Sequence, residues 1–168
     1  MQSLRSLGCV LSHNLSFAVA RWPNAANLTS WKWAYTKDCL SSTCFSDCNC
    51  TSEDITGFSW RTTETNGSGV PPAVAHNWAQ ETDPYLHGYW DFDWLDGYLP
   101  LKGVDPAHNG LLVGKDGAQQ APLTKAATGA RYYVFNLLAE LDNPGEFYLS
   151  RHGETAGEQA TRAFFFSS

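Results

Sequence analysis

The sequence is poor in charge and in long apolar runs, and both shortages narrow what the protein can be. Only 17% of the 168 residues are charged, and the formal net charge is −6. An acidic chain argues against partners such as nucleic acid or an anionic membrane surface, because both select an excess of Lys and Arg. No apolar run of about 18 residues occurs, so no membrane span is expected.

Motifs of catalysis and cofactor binding are also missing. The chain has no Gly-x-Ser-x-Gly elbow, no phosphate-binding glycine loop and no dinucleotide fingerprint. Its histidines follow neither His-x-His nor His-Glu-x-x-His spacing, so they do not indicate a metal triad. We therefore expect no cofactor and no metal, except that one carboxylate pair leaves Ca²⁺ open.

What the chain does contain favours a single, mainly β domain. Gly, Trp and Tyr are plentiful, and 168 residues suffice for one real core. Short strands are predicted over 10–35, a meander over 86–115 and a further strand at 132–135, from aromatic and alternating patterns. Asn136 can cap one short helix near 136–142, before a type II turn at Pro144-Gly145.

A stretch with little regular pattern, 37–80, carries a cluster of cysteines. Four of the five cysteines lie within twelve residues: Cys39, Cys44, Cys48 and Cys50. Their spacing lacks the paired Cys-x-x-Cys of a zinc site, so a disulfide-stapled loop is favoured over a metal site, with its connectivity open. We interpret 37–80 as a variable, stapled insertion.

Glycosylation sequons support an oxidising, secretory environment. Asn-x-Ser/Thr occurs at four positions: Asn14, Asn27, Asn49 and Asn66. Disulfides persist in the same compartment, so the two features together predict a secreted, extracellular glycoprotein.

Three phrases carry a family resemblance. They are Ala20-Arg21-Trp22-Pro23-Asn24, Gly88-Tyr89-Trp90 with Asp93-Trp94, and the stretch from Glu140 to Arg151 that contains Pro144-Gly145-Glu146. In this order they resemble secreted right-handed parallel β-helix proteins of the pectate-lyase-like superfamily, many of which cleave polysaccharides. Ser150, where that family has Asp, is a departure.

The resemblance implies a fold and a function. Residues 1–151 would be a small β-rich subdomain associated with a truncated right-handed parallel β-helix, and 152–168 an irregular tail. The departures from the family at both ends would then reflect a truncated or mis-spliced gene model. The chain would be a monomeric fragment of a polysaccharide glycoside hydrolase or lyase. The catalytic rungs would lie outside the fragment, so it would be inactive alone. The alternative is a non-catalytic glycan-binding or extracellular adhesion module.

Acidic residues near Trp90 are the first candidates for chemistry. Asp91 and Asp93 on one strand face would lie roughly 6–7 Å apart, which suits glycosidase carboxylates or a Ca²⁺ site. Solvent-facing carboxylates are the competing interpretation. His87 joins them as a candidate because it adjoins Gly88-Tyr89-Trp90.

Aromatic residues of the same region could bind sugar. The candidates are Tyr89, Trp90, Trp94 and Tyr98, because flat sugar faces stack on rings. Burial in the core is the stronger expectation for Trp90 and Trp94, whereas the tyrosines stay open. Arg21 could bind an acidic sugar carboxylate, or pack its stem against Trp22 or Trp94.

Overall fold

The fold is mainly β, as the sequence predicts. The computed structural model describes residues 9–12, 15–24, 32–41, 55–63, 69–114, 129–150 and 162–165. Within them lie one α-helix, α1 (Pro72–Trp78), and one 3-10 turn (Leu138–Glu140). The strands are β1 (Cys9–Ser12), β2 (Leu15–Val19), β3 (Arg21–Trp22), β4 (Ala34–Ser41), β5 (Ile55–Trp60), β6 (Tyr85–Phe92), β7 (Leu95–Asp105), β8 (Gly110–Val113), β9 (Arg131–Phe135), β10 (Glu146–Ser150) and β11 (Arg162–Phe165).

Six strands close into an antiparallel barrel. The order around it is β4-β5-β8-β7-β6-β9, and β9 returns to pair with β4. The β6-β7-β8 part is the meander expected over 86–115. The short strand β3 pairs with the second half of β9, at Arg21↔Phe135 and Trp22↔Val134.

Large aromatic side chains fill the barrel. The fully buried residues include Phe58, Trp60, Trp78, Trp90 and Tyr132. Rings of β5, β6 and β9 meet inside, with centroids 4.9–6.3 Å apart. Burial of this much apolar area is the main stabilising contribution to the fold.

Helix α1 packs against this interior. Pro72 stands at its first position, where proline's missing N–H costs nothing. Ala75 and Trp78 are buried in the core cluster. Trp78 Nε1 donates a 2.7 Å hydrogen bond to Glu140 Oε1, and burial raises the pKa of Glu140.

A second sheet of four strands, in the order β1-β2-β10-β11, lies beside the barrel. Among the described strands, β2 and β10 form the one parallel pair, with Glu146↔Ala18 and Phe147↔Val19 in register. Val19, Phe147 and Leu149 form a cluster with Phe135 of the barrel. This cluster joins the second sheet to the outer face of β9.

The turn before β10 is the one that the sequence predicts. Gly145 has φ +84°, and Glu146 N donates to Asn143 O at 3.2 Å. Glu146 Oε2 accepts from the backbone N–H groups of Asp142 and Asn143. Burial raises the pKa of Glu146 to about 7, although the two hydrogen bonds lower it in part.

Several expectations need correction. The described strands form a barrel and a mixed sheet, and they do not form a right-handed parallel β-helix. In place of a short helix near 136–142 there is one 3-10 turn. Asn136 does not cap it, because φ is +60° and the side chain bonds to Leu149 and Asp83 backbone instead.

Regular structure also occurs where the sequence indicates little. The stretch 37–80 contains most of β4, all of β5 and helix α1, and the tail 152–168 contains β11. Tertiary pairing of β5 with β4 and β8 stabilises a segment whose composition favours loops. None of the helices in the described part is long and apolar enough to cross a membrane.

Candidate functional site

Aromatic side chains alternate between the two faces of the barrel wall. On β6, Leu86, Gly88 and Trp90 lie on the inner face, and the residues that alternate with them, His87 and Tyr89, lie on the outer face. On β9, Tyr132 is in the core, and the neighbouring Tyr133 lies outside. Because β6 pairs with both β7 and β9, these outer residues become neighbours.

The outer rings converge on His87. Its ring centroid lies 4.7 Å from Tyr98, 5.0 Å from Tyr133, and 6.0 Å from both Trp33 and Tyr89. We call these five residues the outer aromatic cluster. His87 is buried and the other four rings are half-buried, so the cluster presents ring surface to solvent.

A hydrogen bond fixes His87 from one side. Its Nε2 lies 2.7 Å from Oδ2 of Asp96, whose side chain is 49% exposed. Burial lowers the pKa of His87 although Asp96 opposes this, and the bond to His87 lowers the pKa of Asp96. The stable form at neutral pH is thus a neutral imidazole that donates to a carboxylate, which leaves Nδ1 as an acceptor.

The second ring nitrogen has no such anchor. His87 Nδ1 is buried and has no hydrogen-bond partner among the described residues. Because it has no access to solvent, the pair is not arranged as an open general base. His87 is therefore better suited to holding the surrounding rings in position than to accepting a proton from a substrate.

Arg21 is a buried residue that contacts the outer aromatic cluster through the ring of Tyr133. Its Cζ lies 3.6 Å from the ring centroid of Tyr133, Nε donates to Pro23 O at 3.0 Å, and a terminal nitrogen donates to Lys32 O at 2.8 Å. The residue is 2% exposed, and burial lowers its pKa to about 10, so it stays charged at neutral pH. Among the partners of Arg21 are a backbone oxygen of Pro23, a backbone oxygen of Lys32 and the Tyr133 ring, which fits the structural alternative; the contact with a sugar carboxylate stays a prediction.

Arg131 lies at the other side of the cluster, nearer solvent. Its Cζ is 4.1 Å from the centroid of Tyr89 and 5.4 Å from that of Trp33. A terminal nitrogen donates to Asp93 O at 3.1 Å and lies 3.3 Å from Asp93 Oδ1. Arg131 therefore connects the cluster to the turn between β6 and β7.

The remaining residues that the sequence predicts for the site do not lie together. Trp90 is fully buried, as expected, and donates to Gly97 O at 3.1 Å. Trp94 is 75% exposed, so its predicted burial is wrong. Strand β6 ends at Phe92, which places Asp93 in the turn and not on a strand face shared with Asp91. The side chain of Asp91 lies outside the described part.

The cysteine and sequon predictions stay predictions. Cys39 is buried on β4, and the structural description does not extend to Cys44, Cys48 and Cys50 or to Asn14, Asn27, Asn49 and Asn66. No group of three His, Cys, Asp or Glu residues is placed to hold a metal ion in the described ranges. The carboxylates therefore offer no described Ca²⁺ site.

Four residues of the site were missed by sequence reasoning: Trp33, Asp96, Arg131 and Tyr133. Trp33 shows in the alternation Trp31, Trp33, Tyr35, which indicates a strand but not its neighbours. The partners of Asp96 and Arg131 follow from strand register and turn geometry, which no local pattern shows.

A separate cleft of about 440 Å³ opens at another part of the barrel. Lys37, Trp60, Arg61 and His108 are among its lining residues. His108 is engaged with Asp105, at 2.7 Å between Nδ1 and Oδ2. This cleft contains none of the predicted site residues, so the outer aromatic cluster is the stronger candidate.

No protein family, curated protein or solved structure matches this chain. The functional conclusion therefore depends on the geometry of the site itself.

Proposed function

We propose that this chain is the β-rich part of a secreted carbohydrate-active protein, and that the outer aromatic cluster binds a glycan. The observation that carries the proposal is the convergence of four half-buried rings around the His87–Asp96 pair on one barrel face. Sugar rings present flat CH faces that stack on aromatic side chains, and their hydroxyl groups suit exposed acceptors such as Asp96.

Part of the cluster serves packing: Tyr98 and Tyr133 lie against the buried residues that join the second sheet to the barrel, whereas Trp33 and Tyr89 belong to neither buried cluster of the described part. The barrel interior is already filled by Phe58, Trp60, Trp90 and Tyr132. The rings of Trp33 and Tyr89 lie outside that core and keep part of their area exposed. Contiguous apolar surface rimmed by polar groups is typical of an interaction site.

The rigidity of the cluster also supports binding. Asp96 and Arg21 hold His87 and Tyr133 in place, and Arg131 covers the ring of Tyr89. A ligand then meets rings that are already ordered, which reduces the entropy cost of binding.

The parallel pair β2–β10 supports the finer part of the proposal, a subdomain inserted into a right-handed parallel β-helix. Successive rungs of such a helix pair in parallel, and here the whole barrel lies between two parallel neighbours. In this proposal the parent protein is a glycoside hydrolase or polysaccharide lyase, and its catalytic carboxylates belong to later rungs. This chain alone binds and does not cleave.

Glycan titration tests the proposal directly. The full chain, expressed through a eukaryotic secretory pathway, is titrated calorimetrically with a panel of soluble plant and algal oligosaccharides. We expect saturable binding to a subset, a loss of affinity of about tenfold in Tyr89→Ala from the lost stacking, and no cleavage products.

A matched control separates binding from folding. Leu138→Ala removes an exposed apolar side chain on the 3-10 turn, away from the cluster, and should bind like the parent chain. Flat titrations across the panel, or equal binding by Tyr89→Ala and the parent, would refute the proposal.

A further inference from the structure

The cleft of about 440 Å³ opens between β4, β5 and the turn that joins β7 to β8, and it shares no residue with the outer aromatic cluster. Its volume lies within the range of roughly 300–1,000 Å³ that is typical of small-molecule sites. Among the described residues that line it are two cations, Lys37 and Arg61, and two exposed hydroxyl side chains, Thr62 and Thr63, but no carboxylate. The lining therefore offers hydrogen-bond donors, and two of its side chains carry positive charge.

A β-bulge places Lys37 at the cleft. The register of β4 against β5 shifts between Thr36 and Cys39, so that Lys37 and Asp38 together lie opposite Ser59. Asp38 N donates to Ser59 Oγ at 3.1 Å, which satisfies a backbone amide of the bulge. Bulges change the direction of a side chain and are common beside functional sites, so the irregularity lies where a binding residue is needed.

Backbone and ring contacts order Arg61. Its backbone N–H donates to Tyr35 O at 3.2 Å, and its Cζ lies 5.6 Å from the centroid of the Tyr35 ring. Gly129 has φ +91°, and a Cβ at that position would lie 3.1 Å from a terminal nitrogen of Arg61. The guanidinium group therefore lies close to Gly129, and its restricted position reduces the entropy cost of binding a ligand.

The turn between β7 and β8 forms a further part of the wall. Trp60 N donates to Asn109 O at 2.9 Å and so joins β5 to this turn. Asn109 has φ +49°, a left-handed conformation that Asn adopts more readily than most residues. Asp105 is bonded within the turn, because Oδ1 accepts from Ala107 N at 3.0 Å and Oδ2 lies 2.7 Å from His108 Nδ1. Contacts within the protein thus hold the wall in place.

Two carboxylates stand near the cleft without lining it. Asp38 Oδ2 lies 3.9 Å from Lys37 Nζ, beyond hydrogen-bond distance, and the side chains are 37% and 66% exposed. An exposed pair of this kind contributes little, so Lys37 keeps its ammonium donors for a ligand. Both oxygens of Asp105 are bonded within the turn. These two charges reduce the long-range attraction for an anion, and binding depends on direct contact with Lys37 and Arg61.

We infer that this cleft binds a tetrahedral oxyanion, a phosphate or a sulfate, free or as a monoester, between Lys37 and Arg61. The oxygens of such a group accept hydrogen bonds from several directions, which matches donors that come from separate parts of the chain. Charge-assisted bonds to an ammonium and a guanidinium are stronger than those a neutral ligand would make. The inference is independent of the proposed glycan site.

Titration with phosphate tests the site. The full chain is titrated calorimetrically with sodium phosphate at low salt, where charge contacts are least screened. We expect saturable binding that Lys37→Gln weakens by about fivefold or more, because one charge-assisted contact is lost. Lys37→Arg keeps the charge and should retain binding. Because Lys37 is exposed, Lys37→Gln should melt at the parent temperature.

A matched control separates the site from the overall charge. Lys102 is exposed on β7 and is not among the residues that line the cleft, so Lys102→Gln should bind phosphate like the parent. Tyr89→Ala should do the same, which shows that the two sites are separate. A flat phosphate titration, or equal weakening by Lys37→Gln and Lys102→Gln, would overturn the inference.

The source of the oxyanion is tested with glucose 6-phosphate, with glucose as the neutral comparison. Tighter binding of glucose 6-phosphate than of inorganic phosphate would identify a monoester as the ligand, and equal binding would identify the ion alone. Sodium sulfate, titrated in the same way, shows whether the lower charge of a sulfate suffices. If glucose binds as tightly as glucose 6-phosphate, the anionic group is not recognised and the inference is wrong.

Discussion

His87 lies at the centre of the outer aromatic cluster, where four rings surround an imidazole with one hydrogen bond to Asp96. Burying a polar ring with one unpartnered nitrogen costs stability. That cost is offset by ring contacts and by a bond to a carboxylate, which is stronger than a neutral one. The positions of the four rings therefore depend on the hydrogen bond between His87 and Asp96.

The pH dependence of stability tests this role of His87. Burial lowers the pKa of folded His87 below its ordinary value of 6.5. Between the two values the unfolded chain binds more protons, so the His87 contribution to the free energy of unfolding falls as the pH drops through about 6.5. We expect His87→Phe to cost about 1–2 kcal/mol at pH 7.5 and less at pH 5.5.

The parent and His87→Phe must be compared at each pH, because Glu146 changes the free energy of unfolding of both proteins in the opposite direction. Its folded pKa is raised to about 7, so its contribution grows as the pH falls from about 7 towards the ordinary carboxyl value. Urea unfolding of the parent and His87→Phe at each pH cancels that common effect. His76→Gln, on the exposed side of α1, is the control and should differ little from the parent at any pH. A His87→Phe cost that is constant from pH 7.5 to 5.5 would contradict the assignment.

At the scale of single elements, Gly88 explains how strand β6 can bury Trp90 directly after the outward-facing Tyr89. Gly88 and Trp90 share the inner face of β6, and a Cβ on Gly88 would lie 2.8 Å from the Trp90 ring and 2.9 Å from Tyr132 Cβ. The missing side chain makes room for Trp90 to lie back along its own strand. The strand thereby places a Trp inside the barrel while its neighbour Tyr89 faces out.

Substitution of Gly88 should overpack the barrel. We expect Gly88→Ala to lower the free energy of unfolding by about 1–3 kcal/mol, because neither Trp90 nor Tyr132 can move without disturbing the core. Gly103→Ala, in β7, is the control: its Cβ would meet Leu112 at an ordinary 3.7 Å, and it should be neutral or slightly stabilising. Equal urea midpoints for the two variants would show that the space beside Gly88 is not needed.

Local patterns predict the elements whose stability is local. The meander over 86–115 and the turn at 143–146 follow from alternation and from Pro144-Gly145, and the structure contains both. Helix α1 and strand β5 were missed because Ser, Thr, Gly and Pro dominate their surroundings. Their stability comes from tertiary contacts, such as Trp78 in the core and β5 between β4 and β8.

The candidate site was predictable only in part for the same reason. Tyr89, Tyr98 and His87 were identified as candidates from one continuous phrase of sequence. Trp33 and Tyr133 belong to distant segments, and only strand pairing brings them to His87. The expectation that Trp94 lies in the core extends period-2 alternation past Phe92, where β6 ends and a turn begins that leaves Trp94 75% exposed.

At the scale of the whole molecule, the barrel begins and ends at one point. Asn136 N donates to Ala20 O at 2.9 Å, directly after β9 and directly before β3. On either side of this point, β2 and β10 pair in parallel. Closely spaced ends are what insertion of one folded unit into another requires. The barrel therefore has the geometry of an inserted domain.

An inserted domain with its own core should fold alone. We expect the fragment 20–141, which retains the bond between Trp78 and Glu140, to unfold in one cooperative transition by near-ultraviolet circular dichroism. Its melting temperature should be below that of the full chain, because Phe135 loses its cover of Val19, Phe147 and Leu149. The same fragment with Gly88→Ala should melt lower still. A fragment that keeps far-ultraviolet signal but lacks a cooperative near-ultraviolet transition would show that the barrel depends on the second sheet, and the two would then be one folding unit.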